Sequence, residues 1–238
     1  MKKALKIMRW LAFFLLIIVV GYSFHIRFEN KKRIEFDEHL DDVVFTVNGE
    51  DITMADLSFY ILFVERNVEE QAVVYNRDNT KDFWNIHTNY SFIQKEAKYA
   101  ILDMAIHDRL FYQLAKEAGI TLTDEDLYYA QCATTDFWED MFDCQLEKLP
   151  VDKDTINEQI MIATMAEKYQ NILAEDRGPG AAAYKYDGYE YSLILKEYDV
   201  KVNDDLWDRL VVGDITLTHD KVSYINGWDR ASEKKKKK

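Results

Sequence analysis

The side chains that most often carry catalysis or bind metals are few and widely separated in this sequence. They are His25, His39, His87, His107, His219, Cys132 and Cys144. No Cys or His has the close partner that a zinc motif needs, and no G-x-S-x-G, H-E-x-x-H, Walker A or G-x-G-x-x-G motif occurs. The sequence therefore predicts a protein that is not an enzyme and uses no metal or other cofactor.

A hydrolytic site is the catalytic alternative. It would use His107, which lies beside Asp108 on the polar side of a predicted helix, where a solvated surface residue is the simpler interpretation. The chain has 43 Asp and Glu residues, so the sequence does not distinguish an acid/base pair from a charged surface. His or carboxylate side chains that converged in a cleft would favour the enzyme.

The aromatic residues indicate a different chemistry, the binding of apolar side chains. Several are adjacent in the sequence, and adjacent residues on a helix point to different faces, so one buried stripe cannot bury all of them. We predict a peptide-binding groove that uses Phe83, Trp84, Tyr90, Tyr128, Phe137, Trp138 and Met141. The alternative is a thick core between packed helices. Trp207 and Trp228 are assigned to packing.

The two cysteines, Cys132 and Cys144, are twelve positions apart. In an extracytoplasmic protein they could form a disulfide, although two cysteines make no disulfide framework and no metal motif. Two unpaired buried thiols are the alternative.

A short strand and a tight turn open the folded body. Residues 43–52 read VVFTVNGEDI, which is a β-branched and aromatic run, an Asn-Gly turn and a return. Thr53 then provides a helix N-cap, with Asp56 three residues on. The pattern predicts a strand over 43–47 and a helix over 54–75.

Three longer helical patterns follow. Capping boxes are predicted for the first, by Ser91 with Gln94, and for the third, by Thr155 with Glu158, and Thr123 with Asp126 begins the second. Gly119 ends the first helix. Thr134-Thr135 is a candidate break in the second, and the third covers residues 153–176.

The C-terminal third contains shorter elements. RGPGAAA over 177–183 breaks the helical series and predicts a linker. Beyond it we predict a helix through 191–195, a short helix capped by Asn203, and two strands at 215–217 and 222–225. Short strands at opposite ends of a chain are not stable alone and must pair with other strands. We therefore predict a mostly α (α+β) fold in which a small sheet joins the N- and C-terminal segments across a helical body.

The folded body is strongly acidic. The formal net charge is −13, but residues 1–33 hold eight basic residues and one Glu, and Lys234–Lys238, predicted to be disordered, hold five more, which leaves −25 on residues 34–233. Such a surface repels phosphate backbones, so no nucleic-acid partner is predicted. The acidity suits a soluble protein that holds other polypeptides; alternatively, it reflects only the compartment or organism.

The N-terminus has the layout of a secretory signal or a signal anchor. Four basic residues among the first nine precede an apolar run, Trp10–Phe24, which is a little shorter than a bilayer-spanning helix of about 20 residues. No convincing cleavage site follows, since VGYS over 20–23 is a poor match. We predict an uncleaved anchor over residues 1–33 and a single-pass protein of the cell membrane with its body on the extracytoplasmic side.

Three segments together resemble a known family: VNGEDITMADL from Val47, AIHDRL from Ala105 and AKEAGITLTDEDL from Ala115. In this order they resemble the N-terminal chaperone domain of the SurA/PrsA family of extracytoplasmic foldases, over about residues 42–130. The segment VKVNDDLW from Val200 looks like the C-terminal element that completes this domain in relatives.

The resemblance implies a division of the body into a helical chaperone domain over 34–176 and a closing segment over 189–233. Many relatives insert a parvulin-type prolyl isomerase domain between these parts, whereas here residues 177–188 take its place. His219 is the one histidine after His107, so a catalytic pair cannot be assembled there. The resemblance therefore implies the chaperone module without isomerase activity.

The predicted function is that of a membrane-anchored holdase, which binds unfolded or exported polypeptides. The alternative is an interaction or scaffold protein of the same fold that binds one dedicated envelope or secretion partner. The two differ in promiscuity, so binding to many unrelated unfolded peptides separates them.

Overall fold

The structure is a computed structural model that describes residues 15–22 and 33–219. The chain divides into two units, Met1–Glu35 and Phe36–Lys238. In the first unit, residues 15–22 form the helix α1 with exposed apolar side chains. Within the described ranges no helix is long and apolar enough to cross a membrane.

Some predictions lie outside the described residues. The predicted anchor run Trp10–Phe24 is described only over residues 15–22. The predicted strand 222–225, Trp228 and the lysine tail lie wholly outside.

The second unit is mostly helical. Its long helices are α2 (Ser58–Tyr75), α4 (Ile93–Glu117), α5 (Asp124–Asp140) and α7 (Lys153–Arg177). Its short helices are α3 (Lys81–Trp84), α6 (Asp143–Glu147), α8 (Tyr189–Leu195) and α9 (Asp204–Trp207). Single turns of 3-10 helix occupy Phe36–His39, Ala55–Leu57 and Ala181–Tyr184.

A three-stranded antiparallel sheet joins the two ends of this unit. Strand β1 (Val43–Val47) lies between β2 (Glu50–Thr53) and β3 (Val200–Val202). Asn48 at φ 50° and Gly49 at φ 82° form the left-handed pair that a two-residue hairpin turn requires. The predicted hairpin and the predicted sheet between N- and C-terminal segments are both confirmed.

The third strand is not where the pattern placed it. Residues 215–217 form no strand, because the backbone N–H groups of Ile215 and Thr216 donate to the buried Glu65 carboxylate at 3.2 and 2.8 Å. A backbone donor used in this way cannot join a sheet ladder. Strand β3 pairs with β1 instead.

Both predicted capping boxes are wrong. Helix α4 has Phe92 at its N-cap without a side-chain bond, and Gln94 donates to the Val212 carbonyl at 2.8 Å instead of returning to Ser91. Helix α7 is capped by Asp152, whose carboxylate accepts from a backbone N–H in its first turn. The predicted stop is confirmed, since Gly119 has a φ of 69° just after α4.

The predicted helix start at Thr123 is confirmed, and Thr123 and Asp126 form a capping box at the start of α5. Helix α5 then continues through the candidate break. The hydroxyls of Thr134 and Thr135 donate to carbonyls four residues back, at 2.8 and 2.9 Å, so both residues are satisfied within the helix.

The core lies between α2, α4 and α7. Helix α4 contributes buried apolar residues at helical spacing: Ala97, Ile101, Ala105, Leu110, Phe111 and Ala115. A second apolar cluster holds α5 and the start of α7 against α2, and its buried members are Leu62, Phe137, Met141, Ile156 and Ile160. Each large side chain buried in this way contributes about 1.5–3 kcal/mol.

Candidate functional site

An open groove lies between the first turns of α4 and the segment 208–212 that follows α9. Its volume is about 430 Å³. The lining is formed mainly by Trp84, Phe92, Tyr99, Leu210 and Val212, with charges from Lys95, Lys98 and Asp208. We call it the α4 groove. A concave, largely apolar surface with a few polar groups is the usual form of a binding site.

Two side chains of α4 hold the opposite wall of the α4 groove in place. Gln94 Nε2 donates to the Val212 carbonyl at 2.8 Å, and Lys98 Nζ donates to the Leu210 carbonyl at 2.9 Å. The Lys98 ammonium also lies 5.4 Å from the ring centroid of Trp207, which is buried as predicted. Desolvation lowers the pKa of Lys98, and the nearby Asp208 opposes that shift. The wall is therefore built on polar contacts that reach across the groove.

Aromatic rings remain accessible in and next to this groove. Phe92 is 51% exposed and Tyr99 is 46% exposed, and both line it. Tyr90, two residues before Phe92, is 91% exposed. The Lys95 ammonium lies 5.5 Å from the Tyr99 ring centroid. The site therefore offers apolar rings for a side chain and an ammonium group for a carbonyl or carboxylate oxygen.

The floor of the α4 groove is Trp84, which is almost fully buried. Its indole Nε1 donates to Glu69 Oε2 at 2.8 Å. Gly213 packs directly on the ring, so that a Cβ added there would lie 2.8 Å from a ring carbon. Gly213 also has a φ of 103°, which only glycine adopts without strain.

We predict that Gly213→Ala lowers the free energy of unfolding by about 2–4 kcal/mol. The strained φ costs roughly 1–2 kcal/mol, and the overpacked contact between the added Cβ and Trp84 costs the rest. Gly119→Ala is the matched control, since Gly119 has a φ of 69° but open space around its Cβ position, and we expect a loss of about 1 kcal/mol. Urea unfolding measures both. Equal losses would show that the Trp84 contact contributes nothing.

A charged cluster lies beside the floor and contains the last described residue, His219. Its Nε2 lies 3.3 Å from Asp214 Oδ1, and its Nδ1 lies 3.5 Å from Glu69 Oε1 and 3.0 Å from the Thr80 hydroxyl. Burial alone lowers the pKa of His219, but the Asp214 and Glu69 carboxylates beside it outweigh burial and raise the pKa to about 9. The hydrogen bond from His219 also helps to hold the pKa of Asp214 at about 2. The cluster fixes α2, α3 and the C-terminal segment together.

We expect stability to decline as the pH rises from 7 to 10. The folded-state pKa of His219, about 9, lies above its ordinary value of 6.5, so its contribution is complete below pH 6.5 and is lost as the pH passes 9. Urea unfolding at half-unit pH steps measures the decline. The His219→Gln variant should be less stable at pH 7, and its free energy of unfolding should change less with pH over this range. An equally steep decline in the variant would show that His219 is not the group responsible.

The catalytic alternative gains no support from His107. The prediction that it is solvated is wrong, because it is 5% exposed. Its Nδ1 lies 2.7 Å from Asp108 Oδ1 and its Nε2 lies 2.9 Å from the Tyr184 carbonyl oxygen. Both ring nitrogens are occupied, so neither is positioned to activate a nucleophile. Within residues 15–22 and 33–219, no group of three or more His, Cys, Asp or Glu side chains could hold a metal ion.

The predicted groove residues fall into two groups. Trp84 lines the α4 groove, and Tyr90 lies two residues before the lining residue Phe92. Phe83 instead packs against Tyr75, with 5.6 Å between ring centroids. The remaining four belong to α5 and the cluster beneath it: Tyr128, Phe137, Trp138 and Met141.

Accessibility divides them further. Trp84, Phe137 and Met141 are buried, so they cannot offer an exposed contact to a peptide in this structure. Trp138 is half-buried and donates to Asn157 Oδ1 at 2.8 Å. Tyr128 is exposed. The single groove expected from sequence is therefore not formed by these seven residues together.

The cysteines do not form the disulfide offered as one alternative. Both thiols are free, with Cys132 exposed on α5 and Cys144 buried in α6. A side chain that faces solvent and one that faces the core cannot bring their sulfur atoms to bonding distance without backbone movement.

Apart from Trp84, the lining of the α4 groove was not among the predicted groove residues, and the unpredicted members include Phe92, Lys95, Lys98, Tyr99 and Asp208. One signal was present, since Tyr99 directly follows Lys98 and lies one helical turn after Lys95. The opposite wall gave no signal, because nothing in the sequence places residues 208–212 beside α4.

The described fold is a mostly helical unit joined by a small sheet, with an open aromatic groove on its surface. No family model and no solved structure matches the chain. Among curated proteins it is similar to the foldase protein PrsA of Caldanaerobacter subterraneus subsp. tengcongensis, with 26% identity over 213 residues. The match covers 87% of this chain and 62% of that protein, so the chain spans about three fifths of the relative's length.

Proposed function

We propose that the chain is a chaperone-like protein that binds unfolded or exported polypeptides, and that the α4 groove is its binding site. The observation that carries this proposal is the open groove in which Phe92 and Tyr99 stay half exposed. An apolar side chain of an unfolded segment would bury both rings. The ammonium group of Lys95 would donate to a backbone carbonyl of the same segment.

The similarity to a foldase supports a polypeptide as the ligand. It supports a relation to foldases in general, while the N-terminal chaperone domain of the SurA type stays a prediction. Because the chain spans 62% of that protein, the activity of the whole relative is not carried over.

We further propose that this chain lacks prolyl isomerase activity. On this proposal residues 34–176 and 189–233 form the chaperone domain, and residues 177–188 stand where relatives carry the isomerase. In support, the connection is short and packed, since the single turn Ala181–Tyr184 ends in a buried tyrosine. A refolding reaction limited by prolyl isomerisation should not be accelerated by the chain; acceleration in proportion to its concentration would contradict this.

The location is also a proposal. Residues 1–33, with basic residues around an apolar run, would act as a signal anchor and keep the acidic body on the extracytoplasmic side. Protease added to intact spheroplasts should then digest the body. Protection of the body until the cells are lysed would contradict this orientation.

Aggregation of denatured clients tests the groove. The full chain, in mild detergent, should suppress light scattering by two unrelated denatured clients. The double variant Phe92→Ser/Tyr99→Ser should lose most of this effect, because both accessible rings are removed. Tyr189→Ser is the matched control, since Tyr189 is an exposed ring on α8. No suppression by the unmodified chain would overturn holdase activity.

A dedicated partner is the second candidate, and the charged lining favours it. Two lysines and Asp208 would read particular groups in a ligand, whereas a general holdase needs mainly apolar surface. Binding to an array of unrelated unfolded peptides separates the two. Retention of one sequence motif would support the dedicated partner, and retention of many apolar segments would support the holdase.

A further inference from the structure

Helix α5 lies at the periphery of the unit. Of its 17 residues, all of them described, Ala130 and Phe137 are the buried ones. This narrow stripe faces α7 and the apolar cluster around Leu62, so the opposite face is open to solvent.

An aromatic pair stands on that open face. Tyr128 is 63% exposed and Tyr129 is 61% exposed. Adjacent helical residues project about 100° apart, yet these two rings meet edge to face with 5.8 Å between centroids. Leu127, just before them, is also exposed. Contiguous exposed apolar residues of this kind mark interaction surfaces.

Carboxylates surround the rings. Helix α5 carries six acidic residues and no Lys or Arg. Asp126 pairs with a lysine of α7 and Asp140 with an arginine of α2. Asp124, Glu125 and Asp136 are exposed and have no ion-pair partner within residues 33–219.

Helical spacing places these carboxylates beside the rings. Asp124 is one turn before Tyr128, and Glu125 is one turn before Tyr129. Each exposed ring therefore has a carboxylate next to it. A tyrosine face and a carboxylate attract the same ligand group, the cationic end of Lys or Arg.

We propose that this face of α5, the Tyr128–Tyr129 face, docks a cationic polypeptide segment in which Lys or Arg alternates with apolar residues. The cations lie over the tyrosine rings and pair with Asp124, Glu125 and Asp136, while the apolar residues cover Leu127. The inference does not rest on the function proposed for the α4 groove, whose lining has lysines in excess and therefore prefers the opposite charge. An anionic lipid surface is repelled by the same carboxylates.

The exposed thiol of Cys132, one turn after Tyr128, reports on occupancy. The full chain in mild detergent is mixed with a 14-residue synthetic peptide that alternates Leu and Lys, and the rate of Cys132 modification by a maleimide is measured. We expect the peptide to slow modification at least fivefold at 50 mM salt, and the effect to weaken strongly at 500 mM because the pairs are screened. A Leu-Glu peptide should have no effect. The buried Cys144 serves as the slow internal reference.

Surface variants assign the effect. We expect two double variants to weaken binding of the Leu-Lys peptide about tenfold or more, as happens when central contacts are lost. They are Tyr128→Ser/Tyr129→Ser and Asp124→Asn/Glu125→Gln. All four residues are exposed, so folding is preserved. The groove variant Phe92→Ser/Tyr99→Ser is the matched control and should bind the peptide normally even where it no longer suppresses aggregation.

Three results would overturn the proposal. The first is equal protection by the Leu-Glu peptide. The second is undiminished binding by the tyrosine double variant. The third is protection of Cys132 that appears without peptide as the protein concentration rises, because a second copy of the chain would then be the occupant.

Discussion

Replacing Glu65 with alanine should lower the free energy of unfolding by about 3–5 kcal/mol. The Glu65 carboxylate is fully buried and accepts from the backbone N–H groups of Gly213, Ile215 and Thr216, and also from the Thr216 hydroxyl. Alanine leaves these buried donors without an acceptor, and each such loss costs about 1–3 kcal/mol. Burial raises the pKa of Glu65, and the hydrogen bonds with Thr216, Gly213 and Ile215 oppose the rise.

Urea unfolding followed by tryptophan fluorescence measures this loss. Glu65→Gln keeps the size of the side chain but turns an NH₂ group toward N–H donors, so we expect it to lose a large part of the same stability. Glu70→Ala is the matched control, because Glu70 is an exposed neighbour on α2, 3.9 Å from Arg66, and its change should stay within about 1 kcal/mol. A Glu65→Ala protein as stable as the Glu70→Ala protein would contradict the role assigned to this carboxylate.

The second large effect is expected at Arg109 of α4, which contacts both α7 and the sheet. Its guanidinium lies 2.9 Å from Asp56 Oδ1 and 2.6 Å from Gln159 Oε1, and 3.5 Å from Glu50 Oε1. Gln159 Nε2 donates to the same oxygen of Asp56 at 3.1 Å, which closes the network. Arg109→Ala should cost about 3–4 kcal/mol, since it removes a buried side chain, leaves the buried Gln159 oxygen without its donor and leaves the partly exposed Asp56 carboxylate without its cation.

Arg109→Lys tests whether geometry or charge matters. Lysine keeps the positive charge, but its one nitrogen cannot replace the two terminal nitrogens with which Arg109 faces Asp56 and Gln159 on one side and Glu50 on the other, so we expect about half of the alanine loss. Lys116→Ala, on the exposed side of the same helix, should change stability by less than about 1 kcal/mol. If Arg109→Lys and Arg109→Ala were both as stable as Lys116→Ala, the Arg109 network would not contribute to the free energy of unfolding.

Local backbone chemistry made part of the fold predictable. Asn48-Gly49 requires left-handed φ values, Gly119 ends a helix in the same way, and Thr123 with Asp126 closes a capping box. Each of these features depends only on residues within a few positions of each other, so a short stretch of sequence is enough to predict it.

Other local signals failed because a distant group competed for the same atoms. Gln94 is taken by the Val212 carbonyl, 118 positions away, and the backbone of Ile215 and Thr216 is taken by Glu65, 150 or more positions away. A helix cap or a strand read from neighbours alone cannot include such a partner. The burial of His107 has the same origin, since the Tyr184 carbonyl reaches it from 77 positions away.

The sequence predicted the chemistry of the candidate site, accessible aromatic rings, but not which residues form it. The excess of aromatic residues correctly indicated that some rings stay accessible, as Tyr90 and Tyr128 do. The sequence could not say which member of an adjacent pair faces the core, and Trp84 and Phe137 proved to be inside. That choice depends on the rotation of each helix about its axis, which the packing of α2 and α7 sets.

The position of β3 has a consequence for the time course of synthesis. Strand β1 pairs on one edge with β2, which follows it directly, and on the other with β3, roughly 150 residues later. At about 5–20 residues per second, the second edge of β1 stays unpaired for roughly 7–30 s after the hairpin has emerged. During that interval the sequence VVFTV offers a bare strand edge, the kind of surface on which nascent chains aggregate. A chain truncated before Val200 keeps that edge open permanently.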